Sequence, residues 1–441
     1  MKKTLTVIGA GLAGVEASYQ LAKRGFLVHL YEMKPKEFSP AHKSDSFAEL
    51  VCSNSLRSNE LTNSAGLLKE ELRVLDSIII KTADMCSVPA GGALAVDREV
   101  FSSKITEQIK NNPNIIIHNE RVDKIDVSTP TIIATGPLTA SALSENLKEL
   151  IGQNYLYFFD AAAPIVTHDS IDFTKAYLAD RYDKGDGDYV NCPMTKEEYN
   201  EFYEALINAE TAKLKDFENE KVFEGCMPVE VMAKRGEKSL LFGPLKPVGL
   251  KNPVTGKTDY AVVQLRKENV GAKLYNLVGF QTNLTFKEQK RVFSLIPALK
   301  NAEFVKYGVM HRNTFLNAPS VLNKYYQLKL HNNIFIAGQL SGVEGYIESV
   351  SSGLYAAINM ANFINQKQFL TFLTKTAIGA MAHYIANANK DNFQPMNINW
   401  GIIDELQPVI RDKKQKKVQL AQMAIKSLQN TIKEGEQNGT I

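Results

Sequence analysis

Residues 4–8 (TLTVI) are apolar or β-branched with no polar alternation, the pattern of a strand buried on both faces of a sheet. Gly9, Ala10, Gly11, Leu12, Ala13 and Gly14 follow, and Ala13, Ala17, Leu21 and Ala22 then share one face of a predicted helix that stops near Gly25. Residues 26–31 (FLVHLY) predict the next strand, which ends at Glu32. Strand, glycine turn, helix, strand and acid within roughly thirty residues form the layout of a dinucleotide-binding βαβ unit.

A polar, irregular stretch from Pro35 to Asn63 comes next and carries Cys52, Ser53, Asn54, Ser55, Leu56 and Arg57. Helical periodicity returns over 66–78 and again over 98–111, the second after a glycine-rich loop at 88–93 and Asp97-Arg98. Residues 114–118 and 131–134 read as strands. The stretch 191–330 changes character. Tyr199, Phe202, Tyr203 and Leu206 mark an amphipathic helix, and Pro- and Gly-punctuated short strands are predicted over 239–265. From Asn333 the α/β pattern resumes, with a strand at 334–337 ending in Gly338, a second glycine-rich turn running to Ser352, and a helix near 352–364. A Lys-rich run from Arg411 to Lys417 leads into a final helix with Leu420, Ala424, Leu428 and Ile432 on one face. The expected architecture is α/β: a Rossmann-like, doubly wound domain from residues 1–190 and 331–441, with a smaller α+β domain, 191–330, inserted into it.

Composition narrows the function classes. The chain has 441 residues, 44% apolar and 22% charged, with a formal charge of +3, so neither a disordered tail nor a small disulfide scaffold fits. Overall charge does not drive it onto nucleic acid; RNA binding would need a local patch. Such a patch is present in residues 230–267, where eight Lys/Arg face three acids, with Phe242 and Tyr260 interleaved. Four cysteines without a CxxC pair argue against a framework or a structural zinc site. No apolar run is long enough for a membrane span, and the glycine motif in the first twenty-five residues reads as structure, not as an export signal. The expectation is a cytoplasmic protein without metal or membrane partner.

In the first glycine motif, Gly9 permits the tight turn, Gly11 the approach of a pyrophosphate to the backbone, and Gly14 close helix–strand packing. Glu32 is placed to accept from a ribose hydroxyl. The second glycine turn at Gly338 and the pair Asp97-Arg98 favour FAD over NAD, with Arg98 expected on the adenosine half. A thiol with a pKa of about 8.5 is activated by neighbouring cations. Arg57 is the candidate beside Cys52, and Lys234 and Arg235 the candidates beside Cys226; Cys86 and Cys192 read as buried and inert.

Seven blocks then align with something specific: VIGAGLAGVEA, LVCSNSLRS (50–58), VPAGGALAVDR (88–98), FEGCMPVEVMA (223–233), RGEKSLLFGPLKPVGL (235–250), MHRNTFLNAP (310–319) and FIAGQLSGVEGYIES (335–349). Together they resemble the folate- and flavin-dependent RNA uracil-5-methyltransferase family. The resemblance implies FAD as cofactor, 5,10-methylenetetrahydrofolate as one-carbon donor, NAD(P)H as reductant, and C5 of an RNA uridine as acceptor. It implies that Cys226 is the nucleophile on uracil C6 and that Cys52 assists beside the flavin. Tyr346, after Gly345, packs on the flavin ring, and His311 with Arg312 lies in the folate pocket. The expected RNA is tRNA, at its T-loop; the same chemistry on 23S ribosomal RNA is the alternative. A partner-dependent flavin enzyme of the wobble uridine and a non-catalytic flavin-bound RNA chaperone are the other readings, and the two cysteine blocks speak against both. No obligate protein partner is expected.

Overall fold

A computed structural model describes residues 2–152, 156–161, 163–183, 185–212, 227–268, 271–308, 310–406 and 410–441. Its first layer is a five-stranded, all-parallel sheet. In spatial order the strands are Ile334–Ile336, Thr131–Ile133, Thr4–Ile8, Leu27–Tyr31 and Ile115–His118. The β-branched and aliphatic runs predicted from the sequence form this sheet because Leu5, Val7, Val28, Leu30, Ile132, Ile133 and Ile334 through Ile336 bury completely or nearly so. Chain order reverses at Thr4–Ile8, between Leu27–Tyr31 on one side and Thr131–Ile133 on the other. That switch point opens a crevice beyond the strands' carboxyl ends, where ligands bind in doubly wound sheets.

The helix Leu12–Lys23 leaves the first strand through the glycine turn and crosses the long helix Tyr346–Ile364 at close range. A Cβ on Gly353 would lie 2.2 Å from the Ala13 carbonyl oxygen, so the crossing admits only glycine there. The second helix begins at Tyr346, six residues earlier than its periodicity predicts. The single expected helix over 66–78 is two, Ser64–Val74 and Ile78–Met85. The final helix, Lys413–Asn438, takes in the Lys-rich run as its first turns.

A second hydrophobic core is built from residues between Ala163 and Ala302, including Tyr199, Phe202, Leu206, Phe280 and Phe293. It packs on a six-stranded antiparallel sheet in the order Tyr177–Leu178, Tyr189–Met194, Ala261–Lys267, Leu274–Leu277, Ile165–Thr167 and Phe304–Lys306. Residues 163–190, assigned by sequence pattern to the first unit, therefore pack with the second. Their strand Ile165–Thr167 pairs with partners more than a hundred residues away, which no local pattern announces. A ribbon of Leu156–Ala161 against Met310–Phe315 stands at the two crossings between the units. Of the short strands predicted over 239–265, only the last is formed. Val229–Ala233 is a short helix and Ser239–Phe242 a 3₁₀ turn, and Ala261–Lys267 alone is a strand. Among the described residues no helix is long and apolar enough to cross a membrane.

Candidate functional site

Two cavities meet at the crevice. The first, about 170 Å³, is lined by Gly9 through Ala13, Glu32, Gly338 and Tyr346. Gly9 has φ +97°, and its neighbour Gly14 fits only as glycine: a Cβ there would stand 1.8 Å from the Gly9 carbonyl oxygen. Gly11 is different, since a Cβ added to it meets nothing within 4 Å. The space above it is open. The Glu32 carboxylate accepts from Ala10 N–H (2.8 Å) and Lys34 N–H (3.1 Å), which fixes the turn against the second strand. Two helices, Leu12–Lys23 and Tyr346–Ile364, point their N-termini here. Gly11 and Gly345 cap them without any side-chain acceptor, so their first amide donors remain available. An open glycine cradle with two uncapped helix ends suits a dinucleotide: pyrophosphate at the first helix, ring carbonyls at the second. The residues present fit FAD.

The second cavity, about 630 Å³, adjoins the first through Val51, Pro137, Leu138, Gln339 and Tyr346, which line both. Cys52 lies on its wall, half-buried. The Cys52 loop is fastened from several directions. The Tyr346 phenol oxygen accepts from the amides of Cys52 (2.9 Å) and Ser53 (3.1 Å). Lys306 Nζ donates to Val51 O (3.0 Å), and Arg98 donates to Leu50 O (2.9 Å) and Cys52 O (3.3 Å). Arg266 donates through Nε to Asn54 Oδ1 (2.9 Å) and through Nη2 to Ser53 Oγ (2.7 Å). Asn54 in turn donates to Val96 O and Lys267 O. Arg266, Lys267 and Lys306 belong to the inserted unit's sheet, so the loop is held between the two units.

Burial raises the Tyr346 phenol above its ordinary value, with the neighbouring Cys52 thiol adding to it, so the group stays a neutral phenol at physiological pH. Burial, followed by the nearby Arg98 cation, lowers the Lys306 ammonium. Arg57 also lines this cavity. It sits at φ +65° in an irregular strand pairing and forms a 2.8 Å ion pair with Glu348, which is fully buried. Behind it Lys69 is wholly buried, donating to the carbonyls of Leu56, Ser58 and Ala65; burial lowers its pKa to about 7.

The structure gives several of these residues partners that the sequence does not announce. Arg98, expected on the adenosine half of the cofactor, donates to the Cys52 loop and pairs with Glu268, at 3.1 Å, in the inserted unit. Arg57 is engaged by Glu348, and the cations that touch the Cys52 loop are Lys306, Arg98 and Arg266. Arg266 had been counted in a surface patch, yet it is only 7% exposed. Of the same patch, Lys234, Arg235, Lys238, Lys251 and Lys257 are on the surface, and Phe242 is 82% exposed. Cys226 lies outside the described residues. The backbones of His311 and Arg312 are in the strand Met310–Phe315, opposite Asp160 and Phe159, and their side chains lie outside the described set. Cys86 and Cys192 are buried, and burial pushes the Cys192 thiol up to about 12. The sequence reading missed Arg266, Lys306 and Glu348; Glu348 stands two residues after Tyr346 in a quoted block, and that was the available signal.

A family model described as glucose inhibited division protein A matches residues 4–368. Among curated proteins, the chain is similar to the methylenetetrahydrofolate–tRNA-(uracil-5-)-methyltransferase TrmFO of Listeria monocytogenes serotype 4b, at 59% identity over 434 residues, covering 98% of this chain and 100% of that protein. The protein of that name from Bacillus licheniformis is 60% identical over 433 residues (98% and 100% covered) and that from Bacillus subtilis 59% over 432 (98% and 99%). Among solved structures, Aquifex aeolicus GidA in its form I crystal superposes with a TM-score of 0.71 over 99% of this chain and 79% of that one, at 15% identity. Its form II crystal gives 0.70, with 99% and 76% covered. At that identity the likeness speaks to the fold alone.

Proposed function

This chain belongs to the glucose inhibited division protein A family and, within it, to the folate-dependent tRNA uracil-5-methyltransferases named TrmFO, and we propose that it converts a T-loop uridine of tRNA to 5-methyluridine. The one-carbon unit comes from 5,10-methylenetetrahydrofolate, FAD is the resident cofactor, NAD(P)H the reductant, and the cytoplasm the place of action. When bound, the flavin supplies hydride and one-carbon-carrying chemistry. The observation that carries the reading is the junction of the two cavities at Tyr346, where a dinucleotide cradle opens onto a space walled by Cys52.

The protein's own residues have five tasks. Uracil C5 is a poor nucleophile, and a Cys226 thiolate adding at C6 turns C5 into an enolate-type carbon able to attack a one-carbon electrophile. Loss of the C5 proton and departure of the folate amine leave a methylene on C5; a hydride, which a reduced flavin recharged by NAD(P)H would supply, then turns that methylene into the methyl group as the thiolate leaves C6 and the ring is restored. Three residues beyond Cys226, Val229 N–H is anchored on Gln281 O (2.7 Å), and Gln281 lines the second cavity. Cys52, which lines the same cavity as Gln281, takes the assisting acid/base role. Tyr346 orients the Cys52 loop through two amides, and its ring packs on the flavin. His311 and Arg312 serve the folate. The inserted unit, with Lys234, Arg235 and the other exposed cations, faces the RNA.

Cys226→Ala should retain bound flavin and fold but transfer no methyl group. Wild-type methylation by that variant would sink the nucleophile assignment. Expression in a host lacking 5-methyluridine, followed by mapping of the modified base, tests the RNA target: the base should appear in tRNA, and its appearance in 23S ribosomal RNA instead would move the target and leave the chemistry intact.

A further inference from the structure

The inserted unit presents a column of aromatic rings at the mouth of the second cavity. Phe293, in the second core, touches Phe304 with ring centroids 6.4 Å apart. Phe304 stacks on Tyr307 (5.7 Å, 11° between planes), and Tyr307 stacks on Phe286 (4.9 Å, 17°). The column ends at Phe286, which is 55% exposed. Both Phe286 and Tyr307 line the cavity that holds Cys52.

Folding does not call for a ring at this position. Phe286 opens the helix Phe286–Phe293, whose first turn is capped by Thr285 Oγ1 accepting from Glu288 N–H. A polar residue would serve that site as well. What the position does provide is a flat apolar face held rigid from behind, and its surroundings are cationic. Lys287 and Lys290 are exposed on the same helix, and Lys43, Arg57 and Lys306 line the cavity beside it. The one acid of that helix, Glu288, is taken by Arg291 at 2.6 Å. A π-platform among lysines matches an unstacked base on a phosphate backbone, because every base has a face to stack and every nucleotide a charge to neutralise. A uridine that leaves its stack to meet a thiol also leaves its neighbours without a partner.

We propose that the exposed face of Phe286, backed by Tyr307, takes an unstacked base of the RNA next to the target uridine, with Lys287 and Lys290 on the adjoining phosphates. The proposal rests on the RNA-methylating reading above and adds the residue that positions the nucleic acid at the cavity.

The test compares wild type, Phe286→Ala and Phe286→Trp for binding of a T-arm stem-loop RNA by fluorescence anisotropy at one fixed salt concentration, with KM for methylenetetrahydrofolate and flavin content measured alongside. Phe286→Ala should weaken RNA binding by about 5- to 150-fold, the range that base–aromatic stacking gives, and Phe286→Trp should restore it. The folate KM and bound flavin should stay as in wild type. Unchanged RNA affinity in Phe286→Ala overturns the proposal. So does a rise in folate KM with RNA binding intact, which would assign the ring to the folate. The binding measurement needs no turnover, so a wild type that binds RNA without methylating it would refute the functional reading and leave this one standing.

Discussion

Arg266 offers the most direct perturbation of the clamp on the Cys52 loop. It is 7% exposed and donates to Asn54 Oδ1 at 2.9 Å and Ser53 Oγ at 2.7 Å. Arg266→Met keeps most of the side-chain volume and removes both charge-assisted bonds, each worth about 1.5–3 kcal/mol. Ser53 lines the cavity and finds water in exchange, whereas Asn54, fully buried, keeps its two donor bonds and loses its acceptor bond. The net local loss is then about 2–4 kcal/mol. Because about 1.4 kcal/mol is a factor of ten, the open state of the loop should become roughly 30- to 900-fold more populated. Hydrogen exchange at the amides of Cys52 and Ser53, both held by the Tyr346 oxygen, reads that population directly. Methyl transfer should fall in kcat with little change in flavin content. Arg266→Lys, which keeps the charge and loses the fork, should lie between. Exchange at these amides unchanged within about threefold would refute the idea that the inserted unit holds the loop.

Four other outcomes follow from the geometry. Gly11→Val should fold normally and lose flavin absorbance, because the added atoms enter open cradle space, whereas Gly14→Ala should lower thermal stability by about 3 kcal/mol through its clash with the Gly9 carbonyl. Burial raises Glu71 to about 8, above its unfolded value, while it accepts from Ala377 N–H (2.7 Å) and Ile378 N–H (2.9 Å). A raised carboxyl contributes stability that is fully present below the unfolded pKa and lost as pH climbs through about 8. The melting temperature of Glu71→Gln should therefore gain relative to wild type as pH rises from about 4.5 to about 8, and the difference should be flat above that. Lys69→Met should cost about 3 kcal/mol in urea unfolding, since it removes the donor to the buried carbonyls of Leu56 and Ala65 and the half-buried carbonyl of Ser58.

The parallel sheet and the glycine turn were legible because their signals are local: aliphatic runs, a fixed glycine spacing, and an acid at the end of the second strand. Features that depend on distant pairing were not. Residues 163–190 join the second core only because Ile165–Thr167 pairs with Leu274–Leu277 and Phe304–Lys306. Arg98 follows a glycine-rich loop, and its partners Leu50, Cys52 and Glu268 are about 50 and 170 residues away, which no local pattern announces. Arg266 sits in a basic run, yet the strand Ala261–Lys267 is buried at nearly every position, so that charge points into the protein. Proline and glycine over 239–258 marked breaks correctly, but they do not distinguish a strand end from a 3₁₀ turn.

The central claim is that methyl carbon reaches RNA from folate. With 5,10-methylenetetrahydrofolate labelled in its methylene carbon, NAD(P)H and unmodified tRNA, label should appear in the 5-methyl group of a T-loop uridine. It should vanish when the folate is omitted and be indifferent to S-adenosylmethionine. Methylation supported by S-adenosylmethionine alone, with no label transferred from folate, would contradict the account.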